Sequence, residues 1–211
     1  MLTPEIEAEI TVLAARYGEP RRVSVALSGA PFDPLIMTDR FGEVCMVIRR
    51  PRGTLLTAIK TFYPLGAYRL LTGGVGHGEP IEAALLREVD EETGLEVMVR
   101  RFLAVIEYQL DSEWGMGKGE VGSAGPHPPS PISYTFVTFV FLLDEVGGML
   151  GPRDPDERIG SFREVEVAEL PAVAATLAGV GEGFDPQIGG SWHDWGRFRA
   201  VVHRVVYDLL G

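Results

Sequence analysis

Hydrophobic and polar positions follow two different periods along the chain, and these periods predict where strands and helices lie. Short runs rich in β-branched and aromatic residues predict strands, most clearly at residues 102–110 and 133–143. Apolar residues spaced three and four positions apart predict amphipathic helices. Because the two element types are interleaved, we expect an α/β protein with a mixed β-sheet flanked by helices.

The same pattern places the remaining elements. Further strands are predicted at residues 21–28, 43–50, 54–62, 67–72 and 162–167. Helices are predicted at about residues 3–17, 80–92, 171–179 and 193–210. The short "PRG" segment between the second and third strands is typical of a hairpin turn. We interpret residues 1–211 as a single domain with a core at about 20–180 and one helix at each end.

One long segment interrupts this order. Residues 111–132 join the two clearest strands and are rich in glycine and proline, which do not support a helix or a central strand. Connections this long inside a compact domain are usually functional or mobile. We expect the segment to cover a ligand, with Trp114 in contact with it. A surface insertion with Trp114 packed on the core is the alternative.

An acidic helix is the least ordinary feature of the sequence. It lies within Gly73–Val97 and places four carboxylates within five residues, namely Glu88, Asp90, Glu91 and Glu92. Projected at 100° per residue, its apolar stripe consists of Ile81, Ala84 and Leu85. The same stripe continues into Glu88, Glu91 and Glu92. We therefore expect these carboxylates to continue the inward face of the helix.

Carboxylates that converge at a partly buried place repel one another, and their desolvation is costly unless a cation neutralises them. A set of ligands made of oxygen alone suits Mg²⁺ or Mn²⁺ better than zinc. The glycine-rich segment before Pro80 adds backbone donors and allows close approach to phosphate. These features favour a metal–phosphate site, and a solvated acidic surface is the alternative.

The composition of the chain disfavours some classes of binding partner. The net charge is −11, which disfavours a long nucleic acid because such binding depends on cationic contacts. No apolar run reaches the roughly 18 residues of a membrane span, so we expect no membrane association. The first residues do not have the pattern of a signal peptide, and Cys45 is the one cysteine, so we expect a cytoplasmic location and a buried structural thiol.

The acidic helix and the segment before it resemble the signature of the Nudix hydrolases. The matching positions are Gly73, Glu79, Arg87, Glu88, Glu91, Glu92, Gly94 and Leu95. The resemblance implies a Nudix-type α/β/α sandwich. It also implies hydrolysis of a nucleoside diphosphate linked to another group, which yields a nucleoside monophosphate and a phosphorylated product. The implied cofactor is Mg²⁺ or Mn²⁺.

The resemblance also implies a role for each matching residue. Glu88, Glu91 and Glu92 would hold metal, together with the carbonyl of Gly73. Glu88 or Glu92 would take the proton of the attacking water. The residues expected to support this arrangement structurally are Glu79, Arg87 and Gly94.

This chain departs from the usual signature at Gly76, where many members have a glutamate. The next residue, His77, is a candidate for substrate binding, and an exposed loop histidine without a role is the alternative. Several members use a distant acid as base or metal ligand, and Glu157 is our candidate for it. The competing acids are Asp154, Asp156 and Glu164.

The sequence leaves the substrate open beyond a small nucleoside diphosphate derivative. It also leaves open whether the chain forms a homodimer. Two other functional classes compete with an enzyme: a Nudix-fold nucleotide-binding or sensor domain without catalysis, and a structural element without a bound nucleotide. The complete signature favours the enzyme over both.

Overall fold

The computed structural model describes residues 2–27, 29, 32–110 and 135–211. The segment 111–132, with Trp114, therefore lies outside the described residues. The helices are α1 (Pro4–Tyr17), α2 (Ile81–Thr93), α3 (Leu170–Ala178) and α4 (Trp192–Leu210). The first seven strands are β1 (Arg21–Leu27), β2 (Arg40–Arg49), β3 (Leu55–Lys60), β4 (Arg69–Gly76), β5 (Leu95–Leu110), β6 (Thr135–Gly148) and β7 (Ile159–Val165). Two short strands, β8 (Phe184–Asp185) and β9 (Gly190–Ser191), precede α4, and 3-10 turns form at Pro155–Glu157 and Val167–Glu169.

The first seven strands form one sheet in the order β1-β5-β6-β2-β4-β3-β7. Strand β1 runs parallel to β5, and β2 runs parallel to β6. The other neighbouring pairs in this sheet are antiparallel. The prediction of a mixed sheet in an α/β fold is therefore confirmed.

Helices cover both faces of this sheet, and the alternation along β2 shows why. Val44 and Met46 pack in the core that contains the buried residues of α1 and α2. Cys45 and Val47 point to the opposite face, into the core that contains the buried residues of α3 and α4. Successive side chains of a strand point to opposite faces, so one apolar strand supports two cores. The thiol of Cys45 is free and buried, as predicted.

Two expectations about local structure need revision. The turn between β2 and β3 forms, but these strands pair only through Arg49 and Leu55, because β4 lies between them over the rest of their length. The strand predicted at residues 67–72 extends further, since β4 continues to Gly76 and includes part of the glycine-rich segment. The backbone N–H and C=O groups of these glycines remain available for pairing, and β2 is their partner strand.

Helix α4 is attached to β4 by a fully buried histidine. His203 Nε2 accepts a hydrogen bond of 2.9 Å from Leu70 N–H, and Nδ1–H donates one of 2.8 Å to the Arg199 carbonyl. Burial lowers the pKa of His203 to about 4, so the ring stays neutral. None of the described helices has the length and apolar character needed to cross a membrane.

We expect His203→Ala to lower the free energy of unfolding by about 2–4 kcal/mol at pH 7.5, because it removes a fully buried side chain and leaves the Leu70 N–H without its hydrogen-bond partner. Arg204→Ala, at the exposed neighbouring position, is the control. Urea denaturation followed by circular dichroism measures both values.

The same pair of proteins tests the charge state of His203. Its folded pKa lies below the ordinary value of 6.5, so the stability that the neutral ring contributes is present above pH 6.5 and is lost as the pH falls toward 4. The difference between wild type and His203→Ala should therefore shrink over that range. A difference that is constant from pH 7.5 to 4.5 would contradict this assignment.

Candidate active site

The inward face of α2 carries the apolar stripe and then the carboxylates. Glu88 is 6% exposed and Glu92 is 1% exposed, whereas Asp90 lies on the outer face and pairs with Arg153. The helix ends at Gly94, whose φ of 63° is left-handed and whose N–H donates to the Asp90 carbonyl at 2.9 Å. The end of the helix therefore follows directly after its buried acids.

A third carboxylate reaches these acids from a different part of the chain. Glu157 ends the 3-10 turn at residues 155–157, which Asp154 caps by accepting a hydrogen bond of 2.8 Å from Asp156 N–H. Glu88, Glu91 and Glu157 each contribute one carboxylate oxygen, and these three oxygens lie within 4.8 Å of one another. We refer to these three residues as the carboxylate group.

Arg87 holds the carboxylate group and the glycine-rich strand together. Its Nη1 donates hydrogen bonds of 2.9 Å to Glu88 and 2.8 Å to Glu91. Its Nη2 donates to the Gly74 carbonyl at 3.0 Å, and its Nε donates to Glu79 at 2.9 Å. Charge-assisted contacts of this kind fix the geometry of both partners. These contacts raise the pKa of Arg87, with Glu79 as the largest cause, so it remains charged.

Lys60, which sequence reasoning missed, is the second cation at this place. Its Nζ lies 2.7 Å from Glu157 and 3.4 Å from Glu92. Lys60 is one of only two lysines in the chain, but its strand register could not be read from the sequence. Burial opposes ionisation of Glu157, yet Lys60 outweighs it and lowers the pKa.

For two glutamates of α2, burial outweighs the neighbouring cations and raises the pKa. It raises the pKa of Glu92 to about 7, although Lys60 and Arg69 favour the charged form. It also raises the pKa of Glu88, against the effect of Arg87. Both oxygens of Glu92 are buried without a hydrogen-bond partner among the described residues. The site thus contains more buried negative charge than its neighbouring cations neutralise.

A hard divalent cation fits this arrangement. The carboxylate group supplies only oxygen ligands, which is the chemistry that Mg²⁺ and Mn²⁺ prefer. Glu88, Glu91 and Glu157 are the residues that would hold it. Glu92, a predicted ligand, lies outside this group beside Lys60, and its role stays a prediction, as does that of the Gly73 carbonyl.

A cavity of about 480 Å³ opens beside the carboxylate group. Its wall includes residues from both faces of the sheet, among them Gly73, Glu88, Glu157, Lys60, Arg69, Arg199, Tyr63 and Trp195. His77 does not line this cavity, since it is exposed with its ring centroid 6.1 Å from that of Phe41. Its predicted contact with substrate stays a prediction, and that of Trp114 lies outside the described residues.

Gly73 makes the close approach of α2 to β4 possible, because a Cβ at this position would overlap the side chain of Glu88. We expect Gly73→Ala to displace Glu88 and to weaken Mn²⁺ binding by ~10–100-fold, as changes next to metal ligands typically do. Titration with Mn²⁺, followed by electron paramagnetic resonance, measures the affinity.

Gly76→Ala is the matched control, since a Cβ there would meet no atom closer than 3.6 Å. Its Mn²⁺ affinity should equal that of wild type. Equal affinities for both alanine variants would show that Gly73 does not position the ligand.

Comparisons with known proteins show which family the chain belongs to. A human protein named NAD(P)H pyrophosphatase NUDT13, mitochondrial, is 28% identical over 109 residues, which are 51% of this chain and 29% of that protein. The structure of E. coli ORF135 protein covers 62% of this chain and 76% of its own, with 20% identity and a TM-score of 0.43. That of a UDP-X diphosphatase covers 83% and 67%, with 15% identity and a TM-score of 0.45. The NUDIX domain family model matches residues 39–184, and the chain therefore belongs to the Nudix family.

Proposed function

We propose that this protein is a metal-dependent hydrolase that cleaves the diphosphate linkage of a nucleoside diphosphate derivative to a nucleoside monophosphate and a phosphorylated product. The convergence of Glu88, Glu91 and Glu157 beside a cavity that Glu88 and Glu157 line carries this proposal. Family membership and the complete signature support it. The match spans 29% of the human relative, which is named an NAD(P)H pyrophosphatase. We therefore choose NADH and NADPH as the first substrates to test.

When bound, Mg²⁺ or Mn²⁺ would supply a positive charge that polarises the phosphoryl oxygens and makes water more acidic. Glu88, Glu91 and Glu157 would hold the metal, and Arg87 keeps two of them in place. Of the two candidate bases, Glu88 lines the cavity and Glu92 does not, so we favour Glu88 for accepting the proton of water.

Lys60 has two functions in this proposal. It keeps Glu157 ionised, which a metal ligand requires, and its position on the cavity wall lets it contact a substrate phosphate. Glu92 balances the charge of Lys60 from the buried side. The same lysine thus connects the acidic helix with the turn that carries Glu157.

We expect Glu88→Gln to lower kcat by at least ~10²-fold, because the neutral amide can neither accept a proton nor balance a metal charge. Asp90→Asn on the outer face of the same helix should retain wild-type activity. Release of nucleoside monophosphate from a panel of nucleotide sugars, NADH and dinucleoside polyphosphates, followed by ³¹P NMR, measures the rates. Activity that is unchanged in EDTA would exclude the proposed mechanism.

Glu157→Gln tests the contribution of the distant acid. We expect a loss of ~10²-fold in kcat and a higher Mg²⁺ requirement, because the variant removes one member of the carboxylate group. Asp154→Asn and Asp156→Asn are local controls, since neither belongs to that group. Similar mild effects for all three variants would mean that Glu157 serves only as a partner of Lys60.

A further inference from the structure

Two arginines on the α4 side of the cavity have no function in the reaction described above. Arg69 is 4% exposed and Arg199 is 5% exposed, and both line the cavity. The hydroxyl of Thr72 accepts a hydrogen bond from each, at 2.9 Å from Arg69 Nη1 and at 3.0 Å from Arg199 Nη1. The structure thus holds two buried guanidinium groups against one oxygen atom, although like charges repel. We refer to them as the arginine pair.

The arginine pair shares a single nearby carboxylate. Glu43 accepts hydrogen bonds from Arg199 Nη1 at 2.9 and 2.7 Å and from the Thr138 hydroxyl at 2.9 Å. Each hydrogen bond that Arg69 donates to a described residue goes instead to a neutral oxygen. The next acid, Glu92, is engaged by Lys60. Among the described residues, Glu43 is therefore the carboxylate that accepts hydrogen bonds from the arginine pair, and Arg69 donates none to an acid.

Arg69 retains its charge in this environment. Burial disfavours the charged form, but Tyr63 and Glu92 outweigh burial and raise the pKa of Arg69. A buried charge without a partner is unfavourable, so proteins usually neutralise it by pairing or with a ligand. Arg69 lines the cavity, and an anion that enters this cavity would supply the carboxylate or phosphate partner that its hydrogen bonds lack.

Hydrogen-bond donors at the same wall are also unused. Arg199 Nε is buried and has no hydrogen-bond partner among the described residues. The hydroxyl of Tyr63 accepts hydrogen bonds of 3.2 and 3.0 Å from Arg69, which leaves its own hydrogen for a ligand. The ring of Tyr63 packs edge-on against Trp195 of α4, with centroids 4.7 Å apart, so the hydroxyl is held in place.

We propose that the arginine pair and Tyr63 form a second anion-binding subsite, which takes a phosphate or carboxylate group that the substrate carries in addition to its diphosphate. The identity of the substrate rests on the proposed function, whereas the binding of an anion at this wall does not. Arg199 lies beyond residues 39–184, the part that the family model matches. Helix α4 thus contributes a specificity-determining residue to the cavity.

The first test needs no metal and no turnover. In EDTA at constant ionic strength, inorganic phosphate should raise the melting temperature of wild type in a saturable manner, since a ligand that binds the folded state stabilises it. Arg199→Lys keeps a charge beside Glu43 but loses the free Nε–H, and we expect at least ~10-fold weaker phosphate binding. Arg197→Lys, the same substitution at an exposed position of α4, should bind phosphate as wild type does.

A double variant separates a loss of phosphate binding from a failure to fold. Glu43→Gln combined with Arg199→Gln removes both charges of the ion pair together, so no buried carboxylate is left alone. It should also lose phosphate binding. If phosphate stabilises wild type no more than chloride does, or stabilises wild type, Arg199→Lys and Arg197→Lys equally, the proposed subsite does not exist.

Matched substrates then identify the source of the anion. With Mg²⁺ present, kcat/KM is compared for UDP-glucuronate against UDP-glucose and for NADPH against NADH, because each pair differs by one anionic group. We expect wild type to prefer the anionic member of one pair, and Arg199→Lys to reduce that preference by at least ~10-fold. Equal losses on both members of each pair would mean that the arginines bind the diphosphate itself, which overturns the proposal. Absence of all turnover would refute the proposed function but would leave the phosphate result valid.

Discussion

The packing of buried glutamates from α2 against the glycines of β4 determines the architecture of this protein. Glu88 and Glu92 occupy the inward face of the helix, where desolvation opposes their charge. They fit there because Gly73 leaves space for the Glu88 side chain. Arg87 and Lys60 supply positive charge from two directions. Without these cations, the carboxylates would be buried unpaired, which is far more costly than any loss of apolar contact.

Strand β4 connects the packing under α2 with the packing of α4 on the other face of the sheet. Strand β4 holds the glycines beneath α2, and its Leu70 and Thr72 contact His203 and Arg199 of α4. The cavity therefore has an acidic side formed with α2 and a cationic side formed with α4. Both sides depend on the register of β4, so a shift of one residue would move every contact to the opposite face.

Sequence reasoning succeeded where chemistry is local. The helical period placed Glu88 and Glu92 on the buried face of α2, and the structure confirms their burial. It failed where partners come from distant elements. Lys60, Arg69 and Arg199 looked like ordinary residues of two strands and a terminal helix. Their importance arises only from pairing across the sheet, which single-sequence patterns do not encode.

The sequence by itself determined the mixed α/β class, the position of the acidic helix and the direction of its carboxylates, because these follow from the period and from the residue types at the ends of each element. Only the tertiary structure decided which carboxylates meet. It joined Glu157 to Glu88 and Glu91 and placed Glu92 beside Lys60. It also brought Arg69 and Arg199 to one hydroxyl. The physical reason is that local propensity acts over a few residues, whereas burial and electrostatic interaction act between groups that folding alone brings together.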